Sequence, residues 1–239
     1  MKKYLLLLIC GLALGAAPAQ AQRKTKVKVK SDAPAGATSR LQPLFGGVSP
    51  EAAQQLVGAA FLADIDRSFA SRAEASRFFS GKGYEYITEN KPDTALYRFN
   101  LAWLLDPKNA EAYRGLGIVT SRNATPDESI GLLTQGLAIA PDHSNILSDL
   151  GTSYLIRYQQ LKKKKDLDQA QKHLEKALTA DANNAYAWQQ MARVHYLRED
   201  YAKAWEAVHK GQAVNVSSLD FDLISDLSAK LPDPQGVFK

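Results

Sequence analysis

From residue 49 onward, apolar side chains recur at three- and four-residue steps, the spacing that puts them on one face of an α-helix. The first stripe runs through Leu56, Ala60, Phe61, Ile65 and Phe69. Ahead of it, Ser49-Pro50-Glu51 supplies a capping hydroxyl, a proline at the first helical position and an acid in the first turn. This predicts one or two helices ending near Arg72, forming an N-terminal cap over 49–75. From Ser76 the stripes come in pairs separated by turn residues. Gly83, Gly117 and Gly151 are each 34 residues apart, and so are Pro107 and Pro141. A period of that length decides the architecture before any local feature does. Four units follow, 76–109, 110–143, 144–184 and 185–217, the third lengthened by seven residues. Leu219, Leu223, Leu227 and Leu231 then predict a capping helix over 218–231, with Asp220, Asp222 and Asp226 turned to water. The tail 232–239, rich in proline and polar residues, reads as loose.

The predicted fold class is therefore all-α, a solenoid of helix hairpins between two helical caps. One hairpin cannot bury its apolar face, but stacked neighbours can. Glycine inside a helix costs about 1 kcal/mol relative to alanine, so its return at a fixed position needs a reason. Close approach of the two helices of a hairpin is that reason, and Ala95, Ala102, Ala170 and Ala177 serve the same packing. Helix starts are marked by Asn109, Ser144 and Asn184 and by the capping box Thr125-Pro126-Asp127-Glu128. Asp106-Pro107 and Pro141-Asp142 mark helix stops.

The unit resembles the tetratricopeptide repeat, which has a large residue at position 4, Leu-Gly at 7 and 8, Tyr at 11, Ala at 20, Phe at 24, Ala at 27 and Pro at 32. The first unit matches with Phe79, Gly83, Tyr86, Ala95, Phe99, Ala102 and Pro107. The second has Tyr113, Leu116-Gly117, Leu133 and Pro141, and the third Leu147, Leu150-Gly151, Tyr154, Ala170, Leu174 and Ala177. The fourth has Trp188, Met191-Ala192, Ala204 and Val208. The resemblance implies a concave face lined by the first helices and a peptide or protein partner held there. Its lining would include Arg77, Tyr84, Ile87, Glu111, Arg114, Ile118, Arg122, Thr152, Tyr186, Arg193 and Tyr196. The family's clamp for a chaperone's terminal carboxylate is absent: Ser80, Tyr84, Gly115, Asn145 and Asp149 stand at its positions.

The N-terminus adds an expected export signal. Lys2 and Lys3 precede an apolar run from Tyr4 to Ala17, broken by Pro18 and followed by Ala19-Gln20-Ala21. The run is shorter than the roughly 20 residues that span a bilayer. Residues 1–21 are thus read as a signal peptide cleaved after Ala21, with the protein exported and most simply periplasmic. Cys10 is the only cysteine and would leave with that segment. The net charge of +5 is concentrated in Arg23, Lys24, Lys26, Lys28 and Lys30, within a lead-in over 22–48 read as disordered. Leu41, Leu44 and Phe45 in that stretch are expected to dock on the first helix. A folded basic surface with interleaved aromatics, as nucleic acid would require, is not visible.

Catalytic chemistry is not written into the chain. His143, His173, His195 and His209 have no helical metal-site spacing, and each reads as a packing or surface histidine. Gly81-Lys82-Gly83 and Gly115-Leu116-Gly117 lie within predicted helices and recur with the repeat, unlike a nucleotide loop. No cofactor or metal is called for. The extra residues around Arg157–Asp166 carry Lys162, Lys163, Lys164 and Lys165, predicted at the bend of a hairpin lengthened by one turn per helix. They are either a solvated loop or a contact for an anionic partner. The expected function is a non-catalytic scaffold or adaptor in the bacterial cell envelope. The alternatives are an architectural part of an outer-membrane or cell-wall assembly, with the basic N-terminus against anionic lipid, and a glycan-handling enzyme on a helical platform.

Overall fold

A computed structural model describes residues 39–122 and 126–238. The signal-peptide expectation, the basic lead-in up to residue 38 and the Thr125 cap lie outside these residues. Three short helices come first, α1 (Leu44–Gly47), α2 (Pro50–Val57) and α3 (Ala59–Ser68). Four hairpins follow: α4 (Arg72–Thr88) with α5 (Pro92–Leu105), α6 (Ala110–Ser121) with α7 (Pro126–Ile139), α8 (Ser144–Leu161) with α9 (Lys164–Ala180), and α10 (Ala185–Leu197) with α11 (Tyr201–Val214). A last helix, α12 (Phe221–Lys230), closes the array. There are no strands among the described residues.

The repeating glycines do what their cost implied. A Cβ placed on Gly83 would lie 2.6 Å from the Phe99 ring, one on Gly117 2.6 Å from Leu133 Cγ, and one on Gly151 2.7 Å from Leu174 Cγ. Each glycine thus receives the large residue of its own second helix. The fourth hairpin carries Ala192 and the smaller Val208 at these positions, both buried in one cluster. Consecutive first helices α4, α6, α8 and α10 touch one another, whereas no comparable contact joins the second helices. In a curved stack the row whose members touch is the inner one, so the first helices line the concave face.

Several local expectations are corrected by packing. Residues 39–48 belong to the fold: Phe45 is 0% exposed, packs on Tyr97 and Trp103 of α5, and shares one core cluster with Ala53 of α2. Asn100 Nδ2 donates to the carbonyls of Arg40 (3.1 Å) and Gln42 (2.8 Å), fixing that segment to α5. Helix α4 begins at Arg72, where Ser71 caps Glu74 N–H and Glu74 accepts from Ala70 N–H, a capping box legible in Ser71–Glu74. Ser144 is helical, and the cap of α8 is His143, whose Nδ1 accepts from Ile146 N–H.

The ends differ as well. Asp220 does not face water; it caps α12 and pairs with Arg193 of α10. The tail is not loose. Asp233 accepts from the backbone N–H groups of Gln235, Val237 and Phe238 and pairs with His209 Nε2 at 2.7 Å. Phe238 then stacks on His209 and on Trp205, whose indole N–H donates to Leu231 O. The lysine-rich insertion lengthens both helices of its hairpin, but unequally: α8 has 18 residues against 12 in α6, and α9 has 17 against 14 in α7.

Candidate interaction face

The joints between hairpins set the chemistry of the concave face. At the first joint, Asn109 caps α6 and its Nδ2 donates to Ser76 Oγ and Ser80 Oγ of α4. Ser76 Oγ in turn donates to Ala102 O. The last joint repeats this with Asn184, Ser144, Ser148 and Ala177 O. Both joints are neutral, small and closed.

The middle joint is built differently because His143 stands where the other two have asparagine. Its Nε2 lies 2.7 Å from Glu111 Oε1. Glu111 also accepts from the Tyr84 hydroxyl of α4. Arg114 lies 5.3 Å above the Tyr84 ring and donates from Nε to Asp149 Oδ2 of α8 at 2.6 Å. Five side chains from three successive hairpins therefore form one network across the centre of the face. Burial works against ionisation of Glu111, but hydrogen bonds from His143 and Tyr84 and the Arg114 charge outweigh it, holding the carboxyl at about 2. Asp149 is deeper; there burial prevails over Arg114 and the carboxyl is pushed up. Burial also pushes the Tyr84 hydroxyl upward. One guanidinium is shared by two carboxylates.

Beside this network Asp149 lines a cavity of about 70 Å³ with Ile118, Ser121, Ser129, Thr152, Ser153 and Tyr186. The Tyr186 hydroxyl meets Thr152 Oγ1 at 3.0 Å and Tyr186 itself is exposed. This recess has the size and lining to receive a side chain carrying a hydrogen-bond donor.

The residues expected on this face do not all meet. Tyr84, Arg114 and Ile118 come together at its centre, and Arg77 and Arg122 are exposed at its margins. Ile87 is half-buried against the core cluster of Phe99 and Leu116, while Tyr196 leans on Tyr201. Arg193 is on the face but tied to Asp220. Lys162, Lys163, Lys164 and Lys165 are exposed at the α8–α9 turn, beyond the end of the first helix and apart from the others. Asp149 and His143 were not foreseen as parts of a site. The signal for His143 was present: it lies 34 residues after Asn109, at the cap position.

No protein-family model matches the chain. A stretch of 99 residues is 25% identical to Protein O-mannosyl-transferase TMTC1 of Mus musculus, covering 41% of this chain and 10% of that protein. The chain thus spans about a tenth of the curated relative it matches. Among solved structures, a thermophilic TPR protein of Thermus thermophilus is similar over 66% of this chain and 99% of its own, with 18% identity and a TM-score of 0.56. The pilF protein of Pseudomonas aeruginosa is similar over 69% of this chain and 74% of its own, with 20% identity and a TM-score of 0.56. Cut9-Hcn1 of the APC/C is similar over 66% of this chain and 30% of that one, with 16% identity and a TM-score of 0.55. The likeness is one of fold: the hairpin array is a tetratricopeptide solenoid.

Proposed function

We propose that this tetratricopeptide-fold chain is a non-catalytic scaffold that holds an extended segment of a partner protein along the concave face of α4, α6, α8 and α10. The observation that carries the reading is the middle joint. Its polar groups are already paired and held by neighbouring helices, so a ligand meets a preorganised surface and little ordering cost falls on the protein. Tyrosine and arginine, the residue types most enriched in binding hot spots, stand along the same face. The Asp149 recess lies at its centre, with Tyr186 as an exposed wall. The N-terminal sequence supports a site of action in the bacterial envelope, in the periplasm.

The test uses a photo-crosslinking residue introduced at Arg122 or Tyr186 on the concave face and, as control, at Thr179 on α9. Adducts with the same envelope protein from the two concave positions, and none from Thr179, are the expected result. Adducts from all three positions alike, or from Thr179 alone, would refute the reading. Fractionation of the producing cell tests the location, and recovery of the chain in the cytoplasmic fraction would overturn it.

A further inference from the structure

The third hairpin carries a second surface, which does not depend on the concave-face reading. Helix α8 is six residues longer than α6, so its tip stands about 9 Å beyond its neighbour at 1.5 Å per residue. Lys162 ends α8 in the left-handed conformation (φ 54°), which turns the chain at the tip. Lys163 is the N-cap of α9, and Lys164 and Lys165 open that helix. Lys172 and Lys176 follow Lys165 at seven- and four-residue steps, which places all three in one line along α9. All six lysines are exposed.

These charges are not neutralised by the acids nearby. Asp166 is bound by Arg157 at 2.6 Å, and Arg157 also pairs with Asp127. Asp168 is bound by Arg198 at 2.5 Å. Arginines thus take up the acids next to the tip, and Glu175, which lies between Lys172 and Lys176, accepts from Gln171 Nε2 at 2.8 Å. Among the described residues, the lysines paired with acids are Lys82, Lys91 and Lys203, none of them on this ridge. At the apex Leu161 is 50% exposed, and Tyr158 lies beside it under Lys162 Nζ at 5.7 Å.

We infer that this ridge is a contact for an anionic lipid bilayer. Its form favours that occupant over an acidic peptide. The ridge is convex and projecting, so it offers no groove to enclose a chain. A planar surface of many weak charges can meet the tip and the line of lysines together. An exposed leucine between lysines suits the boundary between headgroups and acyl chains, where apolar side chains enter and ammonium groups stay at the phosphates. Each lysine at such a surface is worth roughly five-fold in partitioning.

The experiment reads the tip itself, so that binding by the N-terminal residues cannot imitate the result. The full chain with Cys10→Ser and Gln160→Cys is labelled at residue 160 with an environment-sensitive fluorophore. It is then mixed with phosphatidylcholine vesicles, with or without phosphatidylglycerol. The probe should shift to the blue only with the anionic vesicles, and added salt should weaken the response. Replacing Lys162, Lys163, Lys164 and Lys165 by glutamine should raise the lipid needed for half the shift on the order of 600-fold. Circular dichroism checks that this variant keeps its fold. A probe that stays water-like with anionic vesicles overturns the inference. So does an equal response to both vesicle types, an unchanged response in the glutamine variant, or a response to polyglutamate in place of vesicles.

Discussion

Replacing Gly115 by alanine should destabilise the array, although alanine is the better helix former. A Cβ on Gly115 would fall well under 3.0 Å from three atoms of the Phe99 ring. Carbon atoms rest at about 3.5–4.0 Å, so the ring would have to retreat by more than an ångström. It has nowhere to go. Phe99 is fully buried, its ring lies against Gly83 of α4 on another side, and Tyr84 packs on it edge-to-face at 5.0 Å. Overpacking of this kind costs roughly 1–3 kcal/mol, and the helix preference of alanine returns up to about 1. The net expectation is a loss of about 1–2 kcal/mol, a fall of roughly 2–8 °C in melting midpoint for a domain of this size. Thermal and urea unfolding followed by circular dichroism measure it. Gly81→Ala is the internal control, since its Cβ would meet nothing within 4 Å; it should raise stability by about 0.5–1 kcal/mol. Phe99→Leu combined with Gly115→Ala should cost less than the sum of the single changes. A Gly115→Ala protein as stable as the parent, or more so, would refute the account of Phe99 as wedged between Gly83 and Gly115.

Other predictions follow from buried charge and from the tail. Arg157→Met leaves Asp166, whose side chain is 4% exposed, without its counter-charge; a loss of roughly 3–5 kcal/mol in urea unfolding is expected, with partial recovery on adding Asp166→Leu. His173 stacks on Tyr154 at 5.5 Å; burial, aided by Lys176 and Lys172, pushes its titration down to about 4. The unfolded chain therefore takes up this proton first, and stability should fall as pH drops from 6.5 towards 4, a slope that His173→Phe removes in a pH series of melts. Glu111 and Asp233, both held down to about 2, act in a lower window: their contributions are complete above the ordinary carboxyl range and are lost as pH falls through 2. Deleting residues 232–239 should uncover Trp205, now 1% exposed, and shift tryptophan emission to the red; an unchanged spectrum would contradict the docked tail.

The hairpin order was legible because it rests on local and periodic signals. Apolar stripes, caps at Asn109 and Asn184 and the 34-residue spacing of Gly83, Gly117 and Gly151 need no knowledge of distant contacts. Even the hairpin partner of each glycine follows from the register of the repeat. The boundaries were less legible where two signals competed. Ser71–Glu74 is a sound capping box, but the repeat alignment drew the helix start to Ser76. Leu44 and Phe45 were recognisable as docking residues, but the place of that segment on α5 depended on Asn100 reaching the backbone of residues 40 and 42, and Leu41 stays 51% exposed.

Read along the chain alone, the residues specify the all-α class, the number and pairing of the hairpins, the lengthened third hairpin and the bend at its lysines. These depend on periodicity, turn chemistry and backbone preference, which act within one hairpin. Which polar groups face each other is a matter of packing in three dimensions. Tyr84, Glu111, Arg114, His143 and Asp149 meet because stacking brings equivalent positions of successive units side by side, and only then does Asp149 claim Arg114. The same stacking ties Arg193 to Asp220 and folds the tail onto Trp205. Whether a charged side chain is free or paired depends on distances across the stack, and composition and spacing along the chain do not carry that information.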